Sequence, residues 1–168
     1  MKEKNLPLAK LDSEVYETIR TALAAARKSV VVAVNSAMVG VYWEIGREIN
    51  HAIGERAEYG KQLLKYLAER LTAEFGKGFS ERSLRHMRQF NQVFPIRNAV
   101  RSELSWTHYR LLMRVDEPKR REFYLNESAN FGWTSRQLER ERRVIERQIE
   151  ENGVQNEYFQ IGTQCVPI

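Results

Sequence analysis

"DSEVYETIRTALAAARKSVVVAVNSAMVGVYWEIGREINHAI", residues 12–53, is the stretch on which the fold class turns. It holds no proline, its glycines are Gly40 and Gly46, and its apolar residues recur at helical spacing. Val15, Ile19, Leu23, Ala26, Val30, Val34, Ala37, Val41 and Ile45 advance in steps of four, four and three. That eleven-residue period corresponds to about 3.67 residues per turn, at which a helix runs straight or coils slightly to the right. At a rise of about 1.5 Å per residue such a helix spans about 60 Å, farther than a small core reaches. Part of it therefore needs a partner. Val31, Val32, Met38, Val39, Tyr42 and Trp43 widen the apolar surface beyond one stripe, so burial within the monomer and self-association both stay open. A break at Gly40 or Gly46 would instead give two helices.

Working outward, "EYGKQLLKYLAERLTAEFGKG" reads as a second helix, with Leu63, Leu67, Leu71 and Phe75 at i, i+4 spacing and Gly76 as its stop. A third begins at Ser80, a capping residue, with Phe79 and Leu84 placed as a hydrophobic staple, and ends before Pro95. Two helices joined by Gly76, Lys77, Gly78 and Phe79 form a helix-turn-helix pattern over residues 58–94. "LSWTHYRLLMRV" predicts a short helix capped at Ser105, and "DEPKRREFYLNESANFG" a helix entered through Asp116 with Pro118 in its first turn. "GWTSRQL" repeats the device of "GFSERSL", with Thr134 and Gln137 as a capping box and Trp133 with Leu138 as a staple. No segment reads as a strand, so the fold class is all-α. The predicted order is a flexible tail over 1–11, the long helix and helix-turn-helix over 12–99, a three-helix segment over 100–150 on the same core, and a tail over 151–168. Trp43, Trp106, Tyr109, Phe123, Tyr124 and Trp133 are assigned to packing.

With 168 residues, 42% hydrophobic and 29% charged, the chain falls in the globular range. Its formal net charge of +5 is local. Between Gly76 and Arg101 stand Lys77, Arg82, Arg85, Arg88, Arg97 and Arg101 against Glu81 alone, so the window holds the whole excess. At 100° per residue, Leu84, Met87, Phe90 and Phe94 share one side of the third helix with Ser83 and Asn91. Arg82, Arg85, Gln89 and Gln92 share the other, with His86 and Arg88 at its borders. Arg and Gln side chains can make bidentate contacts to base edges, and Arg also neutralises phosphate, so this face is a candidate for reading a duplex groove. A merely solvated basic face is the plain alternative. The candidate DNA-binding residues are Lys77, Ser80, Arg82, Arg85, His86, Arg88, Gln89 and Gln92. Arg136, Arg140 and Arg143 form a second stripe on the last helix, but Glu139 at i, i+4 from Arg143 and Glu146 beside it favour a salt-bridged face over phosphate contacts.

Cys165 is the single cysteine, which excludes an intrachain disulfide and fits a reducing compartment. No stretch reaches the roughly 18 uninterrupted apolar residues of a membrane span, and the expected location is the cytoplasm. His51, His86 and His108 lack a second ligand at metal spacing, and neither a glycine-rich phosphate loop nor a nucleophile elbow is present. Glu44 and Glu48, beside Arg47 and His51, read as a charged helix face in preference to a cation site. No metal, no cofactor and no catalytic residue is expected, and the chain on its own is not expected to be an enzyme.

At "VYWEIGREI", "AEYGKQLLKYLAERLTAEFGKGFSERSLRHMRQFNQVFP", "LSWTHYRLLMRV" and "KRREFYLNESANFGWTSRQLER" the chain resembles the N-terminal domain of the YhcG-like family of bacterial proteins, from about residue 12 to residue 150. In that family the helical domain usually precedes a PD-(D/E)xK nuclease domain, so the resemblance implies a DNA-targeting module for a nuclease. Asn91 stands where the family generally has Tyr. After Glu150, "NGVQNEYFQIGTQCVPI" does not resemble the start of a nuclease domain, so catalysis does not carry over. A stand-alone form, half of a split gene and a truncated product all stay open. A weaker similarity, through Leu104, Ser105, His108, Arg110 and Leu112 and through Gly132, Arg136, Leu138 and Glu139, reaches the ParB DNA-binding domain. There, "FSERSLRHMRQF" would correspond to the recognition helix. The expected partners are duplex DNA, a nuclease domain or subunit, and a second copy through the long first helix. The rival expectation is a helical oligomerisation or adaptor module that recruits a nuclease or another protein without touching DNA. An inhibitor or antitoxin-like partner of a nuclease is the third.

Overall fold

The computed structural model describes residues 8–54, 57–96, 101 and 103–152. Its helices are α1 (Leu8–Ile53), α2 (Ala57–Phe75), α3 (Glu81–Val93), α4 (Trp106–Leu112), α5 (Pro118–Asn130) and α6 (Ser135–Asn152), with a 3-10 turn at Lys77–Phe79. No strand occurs among the described residues, and the protein is all-α. Residues 1–7 and 153–168 of the expected tails, together with Arg97 and Cys165, lie outside the described residues. α1 begins at Leu8, four residues ahead of the predicted tail boundary.

α1 runs unbroken through both glycines. The long first helix is as expected, and what Gly46 touches explains why the alternative of a break there does not hold. A Cβ built there would overlap the Met87 carbonyl oxygen and stand 2.7 Å from the Met87 carbonyl carbon. Gly46 is therefore the point where the backbone of α3 lies directly on α1, and the missing side chain is what lets the two helices approach. Farther up α1, Trp43 Nε1 donates 2.6 Å to the Phe94 carbonyl and ties down the end of α3.

Burial divides α1 in two. Val39, Trp43, Ile49 and Ile53 are buried in the bundle, whereas every residue from 12 to 34 is exposed. The alternative of burial inside the monomer thus fails for the first half of the helix, which projects beyond the bundle. Its Val15, Ile19, Leu23, Val30 and Val34 are all more than half exposed.

The core has two connected parts. One gathers Val39 and Trp43 of α1, Phe90 of α3, Tyr109 of α4, Tyr124 of α5 and Leu138 of α6. The aromatic residues assigned to packing lie in it or against it, and Phe90, Phe94 and Tyr109 form a contiguous ring cluster. The other part joins Ile49 and Ile53 to Leu64, Leu84 and Met87. α2 leans on α1 through Gly60, whose close approach to Ile53 leaves little room for a side chain. The predicted α2 stripe is shifted as a result: Leu64 is buried, Leu63, Leu67 and Leu71 are half-buried, and Phe75 is exposed apart from an edge contact to Phe79.

Helix starts follow the capping logic. Ser80 Oγ accepts from the Ser83 N–H at 3.3 Å, and Phe79 packs in the Leu84 cluster. Thr134 N–H donates to Gln137 Oε1 at 2.8 Å, and the Gln137 N–H donates back to Thr134 Oγ1 at 3.3 Å. α4 is capped by a different pair. The Ser105 N–H donates to His108 Nδ1 at 3.1 Å, and His108 Nε2 lies 2.9 Å from the Trp133 carbonyl. Because Nδ1 accepts, Nε2 must carry the proton, which fixes a neutral tautomer. Leu104 and Leu112 flank this cap in the core, so the Leu104–Ser105–His108–Leu112 spacing is a cap-and-core pattern. α5 is entered through Glu117 rather than Asp116, one residue later than predicted.

Candidate nucleic-acid interface

α3 is held from behind. Leu84, Met87 and Phe90 are buried against α1 and the core, and Gly76, at φ 89°, makes the sharp reversal before the 3-10 turn that most side chains would strain. The opposite surface is left to solvent: Lys77, Ser80, Arg82, Arg85, Gln89 and Gln92 are exposed, and His86 and Arg88 are half-buried.

These residues do not form one uniform face. On the side toward α1, Asn50 acts as a clamp. Its Oδ1 accepts from Arg88 Nε at 3.0 Å and from Gln92 Nε2 at 3.1 Å. Its Nδ2 donates to the Arg88 carbonyl at 3.2 Å and to Asn91 Oδ1 at 2.9 Å. Arg88, expected at the border of the face, and Gln92, exposed on it, thus both hydrogen-bond to α1 through Asn50 and help to hold α3 in place. Ser80 Oγ is occupied by the helix cap and by the Ser83 hydroxyl at 3.0 Å.

The outward cations are Lys77, Arg82 and Arg85. Arg85 Nη2 pairs with Glu81 at 2.6 Å, but both side chains are largely exposed, at 60% and 41%. Such a pair is worth about 0–1 kcal/mol and yields readily to a phosphate. Arg82 has no carboxylate partner among the described residues. On the far border, burial holds His86 below the ordinary imidazole range, and the guanidinium groups of Arg110, Arg82 and Arg114 push it the same way, against a hydrogen bond that His86 donates to Gln89. His86 is thus surrounded by positive charge from two elements. Arg110, in α4, and Arg114, just beyond it, extend the basic surface of α3.

The arginine stripe on α6 is different. Arg143 pairs with Glu139 at 2.7 Å, Arg140 with Glu141 at 2.8 Å and Arg142 with Glu146 at 2.7 Å. Carboxylates so placed cancel much of the attraction to a polyanion, and the α6 face is a salt-bridged one. Arg136 shares a shallow groove with Glu139, Arg140, Arg143 and Val144. Near the other suggested charge cluster, Arg47 pairs with Glu48 at 2.8 Å. Among the described residues no three His, Cys, Asp or Glu side chains group as metal ligands.

The sequence is matched over residues 18–152 by the DUF1016 N-terminal domain model, which takes in the bundle from α2 to α6 and most of α1. The chain belongs to this family. It is 30% identical over 163 residues to the Putative nuclease YhcG of Escherichia coli (strain K12), covering 76% of this chain and 44% of that relative. The chain therefore spans less than half the length of the curated relative it matches. No solved structure matches it.

Asn50 and Arg114 were not evident from the sequence, and Arg110 entered only through the weaker ParB resemblance. Asn50 belongs to a helix more than thirty residues away from its partners, and no local pattern connects them. Nothing in "HYRLLMRV" says that Arg110 and Arg114 meet His86.

Proposed function

We propose that this domain binds duplex DNA through α3, as the targeting part of a nuclease system whose catalysis is carried by a separate domain or subunit. α2, the turn and α3 then act as a helix-turn-helix, with α3 in the groove. The observation that carries this reading is the basic surface formed by Arg82, Arg110 and Arg114 around His86, with Arg85 exposed on the same helix, whose other side is seated on α1. Gln89, exposed between these arginines, supplies an amide able to read a base edge. Lys77 in the turn and the arginines fit phosphates. The α6 arginines contribute little, because Glu139, Glu141 and Glu146 lie among them and cancel much of their attraction to a polyanion.

A titration of a labelled random-sequence duplex, read by fluorescence anisotropy at several salt concentrations, tests the proposal. Each neutralised phosphate adds about −0.9 to the slope of log affinity against log salt, so three or four contacts give a slope of about −3 to −4. Absence of salt-dependent binding overturns it. The exposed first half of α1 favours a second reading, an adaptor that assembles or recruits a nuclease without contacting DNA. A stable oligomer in light scattering, indifferent to added duplex, would favour that reading instead.

A further inference from the structure

We infer that the projecting half of α1 pairs with α1 of a second copy, antiparallel, with the two-fold axis at Val30. The spacing of the exposed stripe carries the register. Val15, Ile19, Leu23, Ala26, Val30, Val34, Ala37, Val41 and Ile45 read the same from either end. Reflection through Val30 sets Val15 against Ile45, Ile19 against Val41, Leu23 against Ala37 and Ala26 against Val34, so large residues meet small or medium ones along the seam. A two-fold interface requires this self-complementarity, and an eleven-residue period lets two nearly straight helices keep contact along their length.

The two ends of the stripe differ in their surroundings, and the register joins unlike ends. Val15, Ile19 and Leu23 are bare, at 51%, 54% and 56% exposure. Val41 and Ile45 lie in a groove of about 460 Å³ whose other wall is Leu63, Leu67 and Leu71 of α2. In the antiparallel pair each bare end enters the groove of the other copy. Residues 15–45 make a strip about 45 Å long and about 10 Å wide. That is roughly 450 Å² on each copy and roughly 900 Å² together before the groove walls are added, against about 1,000 Å² for a specific interface.

The charges fit the same register. Arg27 and Lys28 fall opposite Ala33 and Val32, so no two cations oppose each other at the centre. Only at the ends do like charges meet, Asp12 opposite Glu48, and Arg47, paired with Glu48 at 2.8 Å, offsets that contact.

α1 is also long and apolar enough, by length and composition alone, to cross a membrane. Its residues favour a protein partner over lipid. The run without charge between Lys28 and Glu44 has 15 residues, short of the roughly 20 that a span needs, and Val39 and Trp43 within it are buried in the bundle.

Light scattering of the full chain, with cysteine cross-linking in a Cys165→Ser background, tests the pairing. The wild type is expected to be a dimer at micromolar concentration, and Val30→Asp, which opposes two carboxylates at the axis, is expected to weaken it at least tenfold. Residue 30 is exposed in the monomer, so circular dichroism and the DNA titration should leave the bundle of the variant unchanged. The double variant Ile19→Cys with Val41→Cys should form intermolecular disulfides, since the two sites lie about 33 Å apart along one helix, while Ile19→Cys alone should not. A monomer at 100 micromolar, a dimer indifferent to Val30→Asp, efficient cross-linking of Ile19→Cys alone as in a parallel pair, or flotation of the protein with neutral phosphatidylcholine vesicles would each overturn the inference.

Discussion

Replacing Gly46 with Ala tests how α3 is held. The added Cβ would stand 2.7 Å from the Met87 carbonyl carbon and overlap its oxygen. Carbon atoms rest at about 3.5–4.0 Å, so α3 must retreat by roughly 1 Å. The obstacle is backbone, which cannot rotate away as a side chain would. Overpacking costs about 1–3 kcal/mol, and this site belongs at the upper end. Alanine in a helix interior returns about 1 kcal/mol relative to glycine. The net loss is about 2 kcal/mol, or about 4–8 °C in melting temperature for a chain of this size. The retreat would also stretch the Asn50 clamp and the Trp43–Phe94 hydrogen bond. Thermal melts by circular dichroism at one fixed concentration provide the assay. Gly78→Ala serves as the control, since a Cβ there meets nothing within 4 Å. If Gly46→Ala melted at or above the wild-type temperature, the close α1–α3 crossing would be refuted.

Asn50→Ala removes two acceptor and two donor contacts between α1 and α3. We expect a loss of about 1–2 kcal/mol in urea unfolding, and no change would deny the clamp its positioning role. Acid should weaken the fold through its histidines. Burial lowers His86 and His108 below the ordinary value of 6.5. The unfolded state therefore binds more protons once the pH falls below about 6.5, and stability drops from there down through the folded values. For His108 the incoming proton goes to Nδ1, which accepts the Ser105 N–H. Urea midpoints at pH 7.5 and 5.5 check this, and equal midpoints would contradict it. Arg143→Ala removes an exposed pair and should change stability by less than about 1 kcal/mol, measurable in the same urea series.

The helical class, most boundaries and the caps were legible because they are local: spacing, Ser80, Thr134 and Ser105 each act within one turn of chain. Phe90 and Tyr109 could be assigned to the core on the same ground. What sequence left open was tertiary. Gly46 has the composition of a helix break and serves as a helix crossing, because only the position of Met87 explains the missing side chain. Arg88 lies at the border of a helical wheel, and a wheel drawn for α3 alone cannot know that Asn50 waits on that side. Likewise, the exposure of residues 12–34 depends on where the bundle ends. No periodicity states that.

The most direct measurement of the central claim compares two pairs of arginines on the same duplex. Arg82→Ala with Arg114→Ala removes charges that flank His86, whereas Arg140→Ala with Arg143→Ala removes charges already paired with Glu141 and Glu139. At about 0.9 per phosphate contact, the first double variant should flatten the salt slope by up to about 1.8, with weaker affinity, and the second should leave both close to wild type. An unchanged slope in the first variant, or an equal loss in the second, would contradict DNA recognition by α3.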